Sequence, residues 1–149
     1  MITILVNGHY KQKTHSKERI TGGKETVFLA EDDSAVRMLI KNFLEQYGYT
    51  VIEAINGDDA VAKFKEHKKN VHLVVFDVVM PKKNGKEVYE EIKEIAAHMP
   101  VLFMSGYTYD IIEQKGVTSG KMDFVQKPIM HDVFLGKIRE MLDKQISRN

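Results

Sequence analysis

The sequence predicts an α/β protein, a doubly wound parallel sheet of five strands in the order 2-1-3-4-5. Three observations carry this. Short apolar strands and amphipathic helices alternate five times with short connections, the pattern of successive βα units. One of them, Val71-His72-Leu73-Val74-Val75-Phe76-Asp77-Val78-Val79-Met80-Pro81, is a near-continuous apolar run that ends in a carboxylate. Such a run suits a central strand covered on both faces, and Pro81 stops its continuation. Other strands also end in polar residues, where open α/β sheets bind their ligands.

The elements follow in order. Met1 to Glu25 lacks apolar periodicity, is rich in lysine and closes with Gly22-Gly23. It reads as a flexible basic tail or linker over 1–25, with one short strand at Ile2–Val6 and a functional basic arm as the alternative. A second unit then runs over 26–146. Val27 to Ala30 is a short buried strand ending in Glu31-Asp32-Asp33. Ser34 is expected to cap a helix carrying Val36, Leu39, Ile40, Phe43, Leu44 and Tyr47, which Gly48 ends. Asp33 or Ser34 is read as a cap only, with a wider role as the alternative. Thr50 to Ala54 is the second strand. Asn56-Gly57 reads as a turn and Asp58 as the cap of a helix with Ala60, Val61 and Phe64.

After the central strand, Lys82 to Gly85 is expected to be loop. Val88, Ile92, Ile95 and Ala96 mark the third helix. Pro100 precedes a fourth strand, Val101 to Met104, followed by Ser105-Gly106. A short helix over Thr108 to Gln114 and a loop over Gly116 to Gly120 come next. Asp123 to Gln126 is the fifth strand, followed by Lys127-Pro128. Phe134, Leu135, Ile138, Met141 and Leu142 define the last helix, in which Gly136 costs about 1 kcal/mol relative to alanine.

The length of 149 residues suits one domain with one core, and a net charge of +1 argues against dominant attraction to nucleic acid or membrane. The absence of cysteine removes disulfides and thiolate sites and fits a reducing, cytoplasmic location. Met1 to Val6 lacks a basic flank and is too short to be a signal peptide or a membrane span. The six histidines show no ligand spacing, and Lys65, Lys68 and Lys69 read as a solvated face. Lys82 and Lys83 lie in a loop that borders the strand end.

Right-handed crossovers close five βα units into a flavodoxin-like (βα)5 sheet. That order brings Glu31, Asp32, Asp77, Ser105 and Lys127 to one sheet edge, at the switch point between the first and third strands. Three crowded carboxylates repel one another and call for a cation, and hard oxygen ligands suit Mg²⁺. Lys127 adds a fixed positive charge and Ser105 a hydroxyl. The set suits phosphoryl transfer with Asp77 as the nucleophile.

The pieces Phe28-Leu29-Ala30-Glu31-Asp32-Asp33, Phe76-Asp77-Val78-Val79-Met80-Pro81 with Gly85, Met104-Ser105-Gly106-Tyr107, and Lys127-Pro128 stand in an order that resembles the receiver domain of two-component response regulators. The resemblance covers roughly 25–145. It implies that Asp77 accepts a phosphoryl group from a phospho-histidine of a sensor histidine kinase or a histidine phosphotransfer protein. It implies Mg²⁺ held by Asp32, Asp77 and the backbone carbonyl of Val79, with Glu31 acting largely through a bridging water. Asp33 is the alternative ligand. Ser105 and Phe124 would be the switch pair, and a cis peptide would join Lys127 to Pro128. Such a domain catalyses only its own phosphorylation and a slow dephosphorylation, here expected because apolar Val79 and bulky Tyr107 flank the approach of water.

The segments 20–27 and 105–108 also look like receivers at the C-terminus of hybrid histidine kinases, which leaves open a lone receiver or a piece of a longer protein. Output is expected through contacts with a downstream protein. The resemblance also allows a homodimer through the face of the fourth helix, fifth strand and fifth helix.

Two other classes compete. A phosphohydrolase similar to the haloacid dehalogenase family would want a second aspartate two residues after the nucleophile, where this chain has Val79. A nucleotide- or flavin-binding module would want a glycine-rich loop after the first strand, where Glu31-Asp32-Asp33 would repel phosphates. Binding of beryllofluoride with Mg²⁺, against binding of flavin or nucleotide, separates them.

Overall fold

Five parallel strands form the frame, and each stands where the apolar runs fall in the sequence. The computed structural model describes residues 2–6, 9–13, 20–106 and 122–147. The elements are β1 (Ile2–Val6), β2 (His9–Lys13), β3 (Thr26–Ala30), α1 (Ser34–Gln46), β4 (Thr50–Ala54), α2 (Gly57–His67), β5 (Leu73–Asp77), α3 (Gly85–Ile95), β6 (Val101–Ser105), β7 (Asp123–Gln126) and α4 (His131–Ser147). The sheet order is β4-β3-β5-β6-β7, which is 2-1-3-4-5 when its strands are counted along the chain. Every pairing is parallel, with Val27 opposite both Val51 and Leu73, Val74 opposite Val101, and Ser105 opposite Gln126. The helix expected over 108–114 and the loop expected over 116–120 lie outside the described residues.

Alternating side chains of the central strands feed two cores. Val27, Leu29, Leu73, Val75, Leu102 and Met104 pack with α1 and α4 on one face. Phe28, Ala30, Val74, Phe76 and Phe103 pack with α2 and α3 on the other. β3, β5 and β6 are almost wholly buried, whereas the edge strands β4 and β7 are not. That difference explains why β5 reads as unbroken apolar sequence. Phe64 of α2 meets Phe28 edge-on at 5.8 Å between ring centroids. Truncating either fully buried ring to alanine would cost about 3–5 kcal/mol.

Helix ends differ from expectation by small steps. Asp33, not Ser34, caps α1: its Oδ1 accepts from the backbone N–H of Ala35 (2.9 Å) and Val36 (3.2 Å). Asn56, not Asp58, caps α2 by accepting from Asp59 N–H at 2.8 Å, so Asn56-Gly57 is a helix start and not a turn. Asn84 caps α3, which begins at Gly85, one residue inside the expected loop. Asp, Asn and Ser are near-equal as caps, so composition alone does not choose among adjacent ones. In α1, Ile40 and Leu44 are buried, but Leu39 sits at the rim of the apolar stripe and is exposed. Gly48 closes α1 with a φ of 96°, a conformation that suits glycine.

The described part of the N-terminal region holds two strands. Besides β1, which was expected, β2 pairs with it antiparallel as a separate two-stranded sheet. Ile20 packs against the α1/α4 core. Gly23 N–H donates to Tyr47 O at 3.0 Å, and a Cβ on Gly22 would lie 2.0 Å from that oxygen. The glycine pair therefore permits close packing against the end of α1. Glu25 then binds Arg139 of α4 through both carboxylate oxygens, at 3.1 and 2.7 Å.

Gly136 in α4 has open space around a would-be Cβ and lies on the exposed side of the helix. Gly136→Ala is therefore expected to stabilise the protein by about 1 kcal/mol through helix propensity. Urea denaturation checks it, and a loss of stability would contradict the open environment.

Candidate functional site

The carboxyl edge of β3 and β5 is the switch point: β3 runs outward through α1 to β4, and β5 runs the other way through α3 to β6. Crossovers that diverge leave a crevice between the two strand ends. Glu31 follows the last residue of β3, and Asp77 is the last residue of β5. Asp32 stands beside them, and carboxylate oxygens of Glu31, Asp32 and Asp77 all lie within 4.8 Å of one another. Glu31 and Asp77 are 1% and 7% exposed, so two of the three acids are removed from water. Asp32 is exposed and faces solvent access to the crevice.

Lys127 reaches this edge because Lys127 N–H donates to Ser105 O at 2.7 Å, extending the β6–β7 ladder by one step. A cis peptide joins it to Pro128. Its ammonium donates to Glu31 Oε2 at 3.2 Å and makes a close ion pair with Asp77 Oδ2. Burial works to lower the Lys127 pKa, but the Asp77 and Glu31 carboxylates overcome this and raise it. Asp77 Oδ1 accepts from Val79 N–H at 3.0 Å, and Glu31 Oε1 accepts from Asp33 N–H at 3.2 Å. Burial, then the charge and hydrogen bond of Asp77, push the Glu31 carboxyl up to about 7.

With Glu31 ionised, three carboxylates against one ammonium leave two negative charges at the edge, which a divalent cation would cancel. The donors are hard oxygens, and exposed Asp32 keeps one side open to water, as Mg²⁺ prefers. The residues therefore fit Mg²⁺. Asp33 is committed elsewhere, since its side chain caps α1.

Ser105 ends β6 and is 2% exposed. Phe124 lies opposite Phe103 in the β6–β7 pairing, with ring centroids 6.2 Å apart. Ser105 and Phe103 are two residues apart on one strand, so Ser105 and Phe124 share a sheet face. Tyr107 lies outside the described residues.

The loop after Asp77 is tied down on both sides. Gly85 N–H donates to Val78 O at 2.8 Å, and a Cβ there would lie 2.8 Å from Val78 Cα. Lys83 binds Glu91 of α3 at 2.7 and 2.8 Å, so it braces this loop, while Lys82 takes a φ of 75°. The sequence pattern gives no signal for Arg37. Its Nη1 donates to Glu31 O at 2.7 Å, a contact with a backbone oxygen that no side-chain spacing announces. Among the described residues, no helix is long and apolar enough to cross a membrane.

The chain is similar to known proteins. The family described as response regulator receiver domain matches residues 27–139. Sensor kinase CckA of Brucella abortus is 35% identical over 135 residues, which cover 91% of this chain but only 14% of that protein. Chemotaxis protein CheY of Bacillus subtilis is 33% identical over 118 residues, 78% of this chain and 97% of that protein. A response regulator receiver domain protein from Clostridium thermocellum has the same fold, with a TM-score of 0.76 at 23% identity over 84% of this chain and 99% of that one. With the family matched from β3 into α4, and a relative one-third identical matched almost end to end, the chain belongs to the response regulator receiver domain family.

Proposed function

We propose that this receiver takes a phosphoryl group onto Asp77 from a phospho-histidine of a sensor kinase or a histidine phosphotransfer protein. The observation that carries this reading is a nearly buried carboxylate at a strand end, ion-paired to Lys127 and flanked by two further acids. A carboxylate oxygen of Asp77 attacks phosphorus and the P–N bond breaks, the donor's imidazole leaving neutral because its other ring nitrogen already carries a proton. Asp32, Asp77 and the Val79 carbonyl would hold Mg²⁺, with Glu31 behind them. Bound there, the ion would neutralise charge on the phosphoryl oxygens. Lys127 supplies a fixed positive charge on the same side. Calorimetric titration with Mg²⁺ and beryllofluoride tests the reading: binding supports it, whereas binding of flavin or nucleotide instead would replace it.

The acidic register has its own test. Asp32→Ala is expected to abolish most Mg²⁺ affinity with little change in stability. Asp33→Ala is expected to keep the affinity and lose about 1 kcal/mol, because it removes the α1 cap. Calorimetry and urea denaturation of both variants separate the roles, and equal losses of affinity would move the ligand assignment.

The acyl phosphate is read as long-lived. Val79 is 58% exposed two residues after Asp77 and has no polar side-chain atom to hold a water in line. Val79→Asn should therefore speed decay of the phosphorylated protein. An unchanged or slower time course would rule out water positioning at this place.

Signalling would run through Ser105 and Phe124. Their shared face lets movement of the hydroxyl toward a phosphoryl oxygen be matched by movement of the ring, a shift between two populations. The output is protein–protein contact in the cytoplasm, with a homodimer through the β7 and α4 side as one form of it.

A further inference from the structure

We propose that Arg37 is a positioning residue for the acidic edge, holding the Glu31 backbone so that Glu31 and Asp32 meet Asp77 as a cation site. The inference rests on the reading of Glu31, Asp32 and Asp77 as the Mg²⁺ site. Glu31 leaves β3 at its last ladder bond, its N–H donating to Ala54 O at 3.1 Å. From there to the cap residue Asp33, the chain has no ladder to follow. Arg37 closes that gap from α1. Its Nη1 donates to Glu31 O at 2.7 Å, and its own N–H donates to Asp33 O at 2.9 Å. The second of these is the first backbone bond of α1, which any residue at 37 would make, so the side chain's own contribution is the bond to Glu31 O, next to Asp32.

The alternative is that Arg37 merely straps α1 to β4 through Glu53. Distances decide between them. Nε of Arg37 lies 3.4 Å from Glu53 Oε1, long for a hydrogen bond, whereas the contact with Glu31 O is short and charge-assisted. Glu53 is also paired with Lys41 at 3.2 Å, so it does not depend on Arg37. The Arg37 side chain is 17% exposed, which limits competition by water for the Glu31 carbonyl. Groups that orient metal ligands from behind commonly govern affinity without touching the ion.

The test is Mg²⁺ titration by calorimetry, with hydrogen exchange at the Asp33 N–H of the metal-free protein. Arg37→Ala is expected to weaken Mg²⁺ about ten-fold and to speed exchange at Asp33. Arg37→Lys, which keeps a charged donor of similar reach, should recover most of the affinity. Glu53→Ala, which removes the strap alone, should stay within about two-fold of the parent. If Glu53→Ala matches Arg37→Ala in affinity, the strap explains the residue and the inference is overturned. If the parent binds Mg²⁺, Asp32→Ala abolishes it and Arg37→Ala changes nothing, this inference alone fails. A parent without Mg²⁺ affinity removes the cation-site reading and the inference together.

Discussion

Asp77→Asn is expected to reduce incorporation of phosphoryl groups from acetyl phosphate to background. The amide keeps the shape of the carboxylate but not its anionic oxygen, so it does not attack phosphorus. The fold should survive. Asn Oδ1 can still accept from Val79 N–H, the bond Asp77 makes at 3.0 Å. The strand beneath it is held by Val74, Val75 and Phe76, all fully buried. The change loses the ion pair with Lys127 but also relieves the repulsion between Asp77 and Glu31. A nearly unchanged melting temperature beside complete loss of labelling would therefore assign the loss to chemistry. Undiminished labelling would move the acceptor away from Asp77, with Asp32 the nearest exposed carboxylate to examine.

The sheet was legible because its central strands are buried on both faces, and little besides apolar residues survives there. β4 and β7 were also bounded to the residue, through turn signals on each side rather than through burial. Helix caps were legible as regions, not as residues: Asp33-Ser34 and Asn56-Gly57-Asp58 each offer several near-equal acceptors. The carboxylate cluster followed from strand order, since strand-end residues of adjacent strands must meet once the order is known. Two kinds of feature left no trace. Gly22-Gly23 read only as the close of the N-terminal segment, but Gly22 also permits close approach to Tyr47 O, and only the packed partner shows this. Arg37 acts through a contact set by tertiary geometry and has no signature in composition or spacing, whereas Lys83 was marked by its loop but its partner Glu91 was not.

The metal-free protein is expected to lose stability as pH rises from about 4.5 to about 7, and Mg²⁺ is expected to remove that loss. The cause is Glu31, whose carboxyl stands at 4.5 when free and is pushed up to about 7 in the fold by burial and by Asp77. Between those values the native state binds more protons than the unfolded state, so stability falls as pH rises. The full stabilisation is present below the unfolded value and is gone above the folded one. A displacement of this size corresponds to roughly 3 kcal/mol across the window. Because Glu31 and Asp77 sense one another, the midpoint belongs to the pair. Mg²⁺ favours ionised carboxylates, so binding at pH 6 should release a proton. That release is measurable as a dependence of the calorimetric heat on the buffer's own ionisation enthalpy. Glu31→Gln should flatten the metal-free profile and raise stability at pH 8, because a neutral amide avoids the buried charge. The comparison with Glu31→Gln isolates this group from every other titrating side chain. If urea denaturation of the metal-free parent shows the same pH profile as Glu31→Gln, Glu31 is not the titrating group. If Mg²⁺ binding takes up or releases no proton at pH 6, its carboxyl is already ionised beside Asp77.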